Sequence, residues 1–175
     1  MADEKEIIYA FIDSQNLNLS IKHDISKKGR LLYSGWELDF NKFRIYLKDK
    51  FNVSKAFLFI GWVAGNERLY HFLENSGYTM IYKPTLNYKD DKHQEQTKGN
   101  VDAELVLHAM LEFCTFDKAM IISGDGDYYC LIKYLQEKNK LLHVAIPNKH
   151  SYSSLLREFR SYFIYISDLK QKLEK

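Results

Sequence analysis

Apolar runs of strand length alternate with helix-periodic segments along all 175 residues of this sequence, a pattern few folds accept. The runs lie at residues 7–12, 53–60, 78–82, 118–122, 141–146 and 162–166. Between them, helices are predicted over 14–28, 37–50, 66–75, 101–113, 128–138 and 151–159, with a short closing helix over 167–175. Leu17 and Ile21, then Phe40, Phe43 and Leu47, then Leu69, Phe72 and Leu73 share helical faces. Gly77 fits a C-terminal cap, and Pro147 stops the strand before it. Residues 29–35 read as a break, and 84–97 as one long polar loop without periodicity. Regular βα alternation of this length implies an α/β fold with a mostly parallel sheet and helices on both faces.

The length fits one domain over residues 1–175, large enough to bury close to about 70% of its unfolded surface. At 46% hydrophobic and 27% charged residues, the chain reads as globular rather than disordered. A net charge of +2 argues against a strongly basic nucleic-acid wrapper and is compatible with a local basic patch. Cys114 and Cys130 form no framework and lack CxxC spacing, so each is expected as a small buried hydrophobe. The polar start Met1-Ala2-Asp3-Glu4-Lys5-Glu6 carries no signal-peptide core, and no apolar run reaches the roughly 18 residues of a membrane helix. The expectation is a soluble, cytoplasmic protein without a membrane partner. Aromatic content of 15% is compatible with an exposed patch and a homodimer.

Four aspartates carry the chemistry. Asp13 ends the first run, Asp125 and Asp127 follow the run Ala119-Met120-Ile121-Ile122, and Asp102 opens a helix. Parallel strands gather their carboxyl ends along one edge, where ligands bind. Carboxylates crowded there repel unless a cation sits among them, and oxygen-only donors suit magnesium or manganese. In Ser123-Gly124-Asp125-Gly126-Asp127 the glycines allow a sharp turn and close approach to a ligand. The bland alternative makes Asp127 the cap of the next helix, which explains one aspartate and leaves Asp125. Asp13 or Ser14 can cap the first helix, and Asn16 can orient Asp13 or bond a phosphate. Lys98-Gly99-Asn100-Val101-Asp102 leads into a helix N-terminus, a natural place for bound phosphate, with Lys98 as its cation.

Other signals are weaker. Glu104 and His108 are one helical turn apart and can pair. Lysines interleaved with Tyr88 between Lys83 and His93 suit an RNA strand, although Asp90-Asp91 dilutes the charge. Lys27-Lys28-Gly29-Arg30 reads as a solvated basic face, and the remaining histidines show no zinc-ligand spacing. Phosphate-loop, dinucleotide-binding, nucleophile-elbow and HExxH motifs do not occur.

In Phe11-Ile12-Asp13-Ser14-Gln15-Asn16, Lys98-Gly99-Asn100-Val101-Asp102 and Ile121-Ile122-Ser123-Gly124-Asp125-Gly126-Asp127-Tyr128, the sequence resembles the NYN domain family, the PIN-like nucleases that include LabA-like proteins. With the strand Val144-Ala145-Ile146-Pro147, the resemblance spans about residues 7–167. It implies a three-layer α/β/α sandwich and an acidic pocket holding Mg2+ or Mn2+. It further implies hydrolysis of RNA phosphodiesters; single-stranded RNA is the expected partner. By the same resemblance Asp13, Asp102, Asp125 and Asp127 are metal-binding, catalytic acids, with Asn16 and Ser123 supporting the pocket; Asn16, Lys98 and Ser123 are the expected substrate-binding residues. One position departs: six residues after Asp102, where many relatives carry aspartate, this chain has His108. The leading expectation is a metal-dependent ribonuclease. An RNA-binding module with a degenerate pocket is the alternative, and phosphotransfer on a small substrate ranks third because the first strand lacks an Asp-x-Asp nucleophile.

Overall fold

The computed structural model describes residues 5–84, 86–89, 95–98 and 101–175, with 86–89 and 95–98 as backbone. In chain order the elements are β1 (Ile8–Asp13), α1 (Ser14–Lys22), β2 (Ile25–Lys27), β3 (Arg30–Tyr33), α2 (Phe40–Phe51) and β4 (Val53–Trp62). There follow α3 (Glu67–Asn75), β5 (Thr79–Pro84), β6 (Leu86–Lys89), β7 (Glu95–Lys98) and α4 (Asp102–Leu111). The chain closes with β8 (Lys118–Ile122), α5 (Tyr129–Glu137), β9 (Leu141–Ile146), β10 (Phe163–Tyr165) and α6 (Lys170–Leu173).

Six strands form one sheet in the order β10-β9-β8-β1-β4-β5, every neighbouring pair parallel. All six residues of β1 are buried, because this central strand is covered on both faces. Ile8, Ala10 and Ile12 enter one core with Leu17, Phe43, Leu47, Leu73 and Leu173 from α1, α2, α3 and α6. Tyr9 and Phe11 enter the other with Leu105, Ala109, Leu131 and Leu135 from α4 and α5. Phe11 stacks on Phe57 of β4 with centroids 5.3 Å apart and planes 6° from parallel. Full burial of such side chains contributes about 1.5–3 kcal/mol each, so the two cores fix the sheet between its helical layers. The protein is a three-layer α/β/α sandwich.

Two predicted segments differ. The first helix ends at Lys22 rather than 28, and residues 25–33 form the antiparallel hairpin β2–β3. Its turn places Lys28 and Gly29 at φ 51° and 73°, the left-handed pair that tight hairpins need. The basic run Lys27–Arg30 is therefore a reversal, and the break at 29–35 contains a strand. Residues 84–97 are likewise more than a loop: β6 and β7 pair antiparallel from Leu86↔Lys98 to Lys89↔Glu95. Strands of four residues are too short to carry a readable period. Asp90, Asp91, Lys92 and His93 lie outside the described residues.

Cys114 and Cys130 are exposed, contrary to expectation. Cys130 sits on α5 beside Leu131 and Ile132, which face the core, and Cys114 follows the end of α4. Among the described residues, no helix is long and apolar enough to cross a membrane.

Candidate functional site

The connections out of β1 and β8 create the opening for a site. These strands are neighbours at the centre of the sheet, yet the chain leads from β1 toward β4 and from β8 toward β9, on opposite sides. A crevice opens beyond the carboxyl ends of two strands that diverge this way. Asp13 is the last residue of β1, and Asp125 lies three residues beyond β8.

Asp13 is 5% exposed. One of its oxygens accepts the Asn16 amide at 2.9 Å, so Asp13 rather than Ser14 caps α1. The other meets the Tyr128 hydroxyl at 3.1 Å. That hydroxyl also lies 2.7 Å from Asp102 Oδ1, at the first turn of α4. Tyr128 has a single hydroxyl proton and two carboxylate acceptors. Both contacts are hydrogen bonds only when one carboxyl carries a proton, and Asp13 is the better holder. Its carboxyl is raised above the ordinary value of 3.8 by burial, with the charges of Asp102 and Asp125 adding to the rise against the lowering hydrogen bonds from Asn16 and Tyr128. Tyr128 is pushed far above the usual phenol range by burial and then by the two carboxylates, which keeps its proton in place; the neutral hydroxyl donates to one carboxylate and accepts from the other when that one is protonated.

The turn after β8 is built from its own side chains. Ser123, 1% exposed, accepts the Asp125 amide on Oγ at 3.1 Å. Asp125 Oδ1 accepts the Asp127 amide at 3.0 Å and caps the single 3-10 turn Gly126–Tyr128. The cap of this turn is thus Asp125, and the side chain of Asp127 is exposed. Asn16 reaches across from α1 and accepts the Gly124 amide on Oδ1 at 2.8 Å, joining the ends of β1 and β8. The two glycines serve a neighbour rather than a strained φ. A Cβ on Gly126 would meet Ser153 Oγ at 2.4 Å, and one on Gly124 would meet Tyr152 Cβ at 3.2 Å.

Asp102, Asp125 and Asp127 converge, each offering a carboxylate oxygen, all within 4.8 Å of one another. Asp13 stands behind this group and is joined to it through Tyr128. The donor set is all carboxylate oxygen, the chemistry hard divalent cations prefer, and small side-chain rotations bring such oxygens to the spacing of an octahedral shell. The residues fit a magnesium- or manganese-like ion.

The remaining predicted residues separate. Lys98 ends β7, and its side chain, like Gly99 and Asn100, lies outside the described residues. Glu104 does not pair with His108; it meets Lys83 of β5 at 3.1 Å. The His108 ring packs against Phe59 with centroids 5.6 Å apart.

The segment after β9 was not singled out by the sequence reading, yet it lines the site. Asn148, fully buried, donates to Ser20 O at 2.9 Å and accepts the His150 amide at 3.0 Å. The Ser153 amide bonds to Gly124 O at 2.9 Å. A polar cleft of about 430 Å³ results, bounded by Asn16, Asp125, Asp127, His150 and Tyr152. The available signal was the polar run Asn148–Ser153 directly after a strand end, where a parallel sheet exposes its loops to ligand.

The family model described as the NYN domain matches residues 8–168. A solved structure of a protein of unknown function from Vibrio parahaemolyticus RIMD 2210633 superposes with a TM-score of 0.75 at 23% identity, covering 99% of each chain. That likeness bears on the fold alone. None of the curated proteins matches the chain.

Proposed function

The chain belongs to the NYN domain family, with its nuclease-like fold, and on that premise we propose that it is a metal-dependent ribonuclease of one domain acting on single-stranded RNA. The observation that carries the reading is the convergence of Asp102, Asp125 and Asp127 at the open edge of the sheet. These three residues would hold Mg2+ or Mn2+, with Asp13 behind them. When bound, the cation supplies Lewis-acid neutralisation of charge growing on the phosphate. The chain's own part is positional. Asp125 keeps one oxygen on the Asp127 amide, which fixes the direction of the other. Tyr128 holds Asp102 by a charge-assisted hydrogen bond. Asn16 and Ser123 fix the turn that carries Asp125 and Asp127. The polar cleft beside Asp125, with His150 at its edge, is the natural path for the strand's phosphates.

The test is cleavage of labelled single-stranded RNA with Mn2+, Mg2+ or EDTA, beside Asp125→Asn. Cleavage that requires metal and is lost in the variant supports the reading. A variant as active as wild type sinks it.

A second reading, an RNA-binding module with an inactive pocket, is favoured by His108, whose ring lies on Phe59. It requires salt-dependent RNA binding that survives EDTA and Asp125→Asn.

A further inference from the structure

A groove of about 730 Å³ opens beside the acids, within the roughly 300–1,000 Å³ typical of small-molecule sites. It runs between α1 and α3 over the end of β4. Its floor is Leu58 and Ile60, and its walls carry the half-exposed Leu69 and Phe72. Two features limit what it accepts. Among the described residues that line it, only Glu37 and Lys175 are charged, and they pair with each other, so these side chains offer no net charge to hold a phosphate or an ionic headgroup. Along the rims stand side-chain amides, Gln15 and Asn18 on α1 and Asn66 at the start of α3. Asn66 occupies the capping position of α3 without making a side-chain capping bond, so its amide serves no helix end. Apolar walls with neutral amides at the edge match a flat, uncharged ring with hydrogen-bonding edges.

Position names the ring. Ser14 and Val101 line the groove, and they are the chain neighbours of Asp13 and Asp102. A strand whose phosphate sits at the acids therefore has an adjoining nucleotide within reach of the groove. We infer that the α1–α3 groove is the subsite for an unpaired nucleobase next to the phosphate held at the acids, with Gln15, Asn18 and Asn66 reading its edge. The inference rests on the reading of the acids as an RNA site.

The test uses methyl NMR of the full chain in EDTA, titrated with uridine or adenosine monophosphate and, as baseless control, ribose 5-phosphate. The nucleotides should shift the methyls of Leu19, Ile60 and Leu69 saturably, and ribose 5-phosphate should not. Leu69→Gln, at a half-exposed position that tolerates a polar group, should weaken nucleotide binding about tenfold, the effect of losing one apolar contact of roughly 1.4 kcal/mol. Equal shifts with the baseless control, no shifts at all, or shifts that follow protein concentration alone each overturn the assignment, the last pointing to a second copy. Metal-dependent RNA cleavage with silent groove methyls removes the subsite and leaves the nuclease. Shifting methyls without cleavage in any metal remove the nuclease and leave a base-binding groove.

Discussion

Tyr128 donates its hydroxyl proton to Asp102 across 2.7 Å, linking the 3-10 turn after β8 to the first turn of α4. The same oxygen faces Asp13 at 3.1 Å, so one buried phenol mediates between two acids that would otherwise confront each other. This is the part of the site that local sequence does not reveal.

Tyr128→Phe removes the hydroxyl and little else. Without metal, the variant should lose about 1–3 kcal/mol of stability, the cost of leaving a buried acceptor without its donor. Saturating Mn2+ should recover part of the loss, since a cation replaces the missing proton. Thermal unfolding with and without Mn2+ checks this; an unaltered midpoint in EDTA would mean the hydroxyl carries no load.

Asp13→Asn should separate stability from activity. Folding raises the Asp13 carboxyl above 3.8, so the folded chain holds this proton more tightly than the unfolded chain. Its contribution to stability is complete below pH 3.8 and is lost as pH rises through the folded value. Well above 3.8 the buried carboxyl of Asp13 is therefore a burden, and at pH 7.5 the isosteric amide should stabilise the metal-free protein by on the order of 1 kcal/mol. The advantage should vanish toward pH 3.8. Urea unfolding across this range measures the difference, and RNA cleavage by the variant should be lost.

Gly126→Ala should cost about 1–3 kcal/mol through overpacking, because the new methyl falls 2.4 Å from Ser153 Oγ and 3.0 Å from its Cβ. Chemical denaturation gives the number. A neutral result would show that the Asn148–Ser153 segment can move away from the turn.

Mn2+ or Mg2+ should raise the unfolding midpoint by mass action, worth about 2.7 kcal/mol at a hundredfold excess over Kd. Asp127→Asn should keep the fold, since its exposed side chain caps no helix, and should lose most of that rise. A differential scanning titration in which wild type and variant respond alike would remove Asp127 from the ion's ligands.

The sheet was legible because its strands are apolar on both faces and separated by periodic helices; β1, β8 and β9 fall where the runs predict. The hairpin β2–β3 escaped because its strands, of three and four residues, are too short to show a period, although Lys28-Gly29 held the turn signal. In the site, the convergence of Asp102, Asp125 and Asp127 followed from their places at element ends. The division of labour among them did not. Asp13 and Asp125 spend one oxygen on backbone caps, and Tyr128 looked like an ordinary helix start. Such roles depend on partners up to 115 residues away and leave no local trace.

The central place of β1 has a consequence for how the molecule comes into being. It is the first of the sheet's strands in chain order, yet one of its two sheet neighbours, β8, begins 105 residues after β1 ends, at Lys118. Until β8 and Tyr128 have been translated, the newborn chain has a bare strand edge and scattered acids. Contacts of such long range close late in folding. The acidic centre therefore assembles only after β8 and Tyr128 have been made, and a chain stalled before them would carry Asp13 and Asp102 without the partners that gather them.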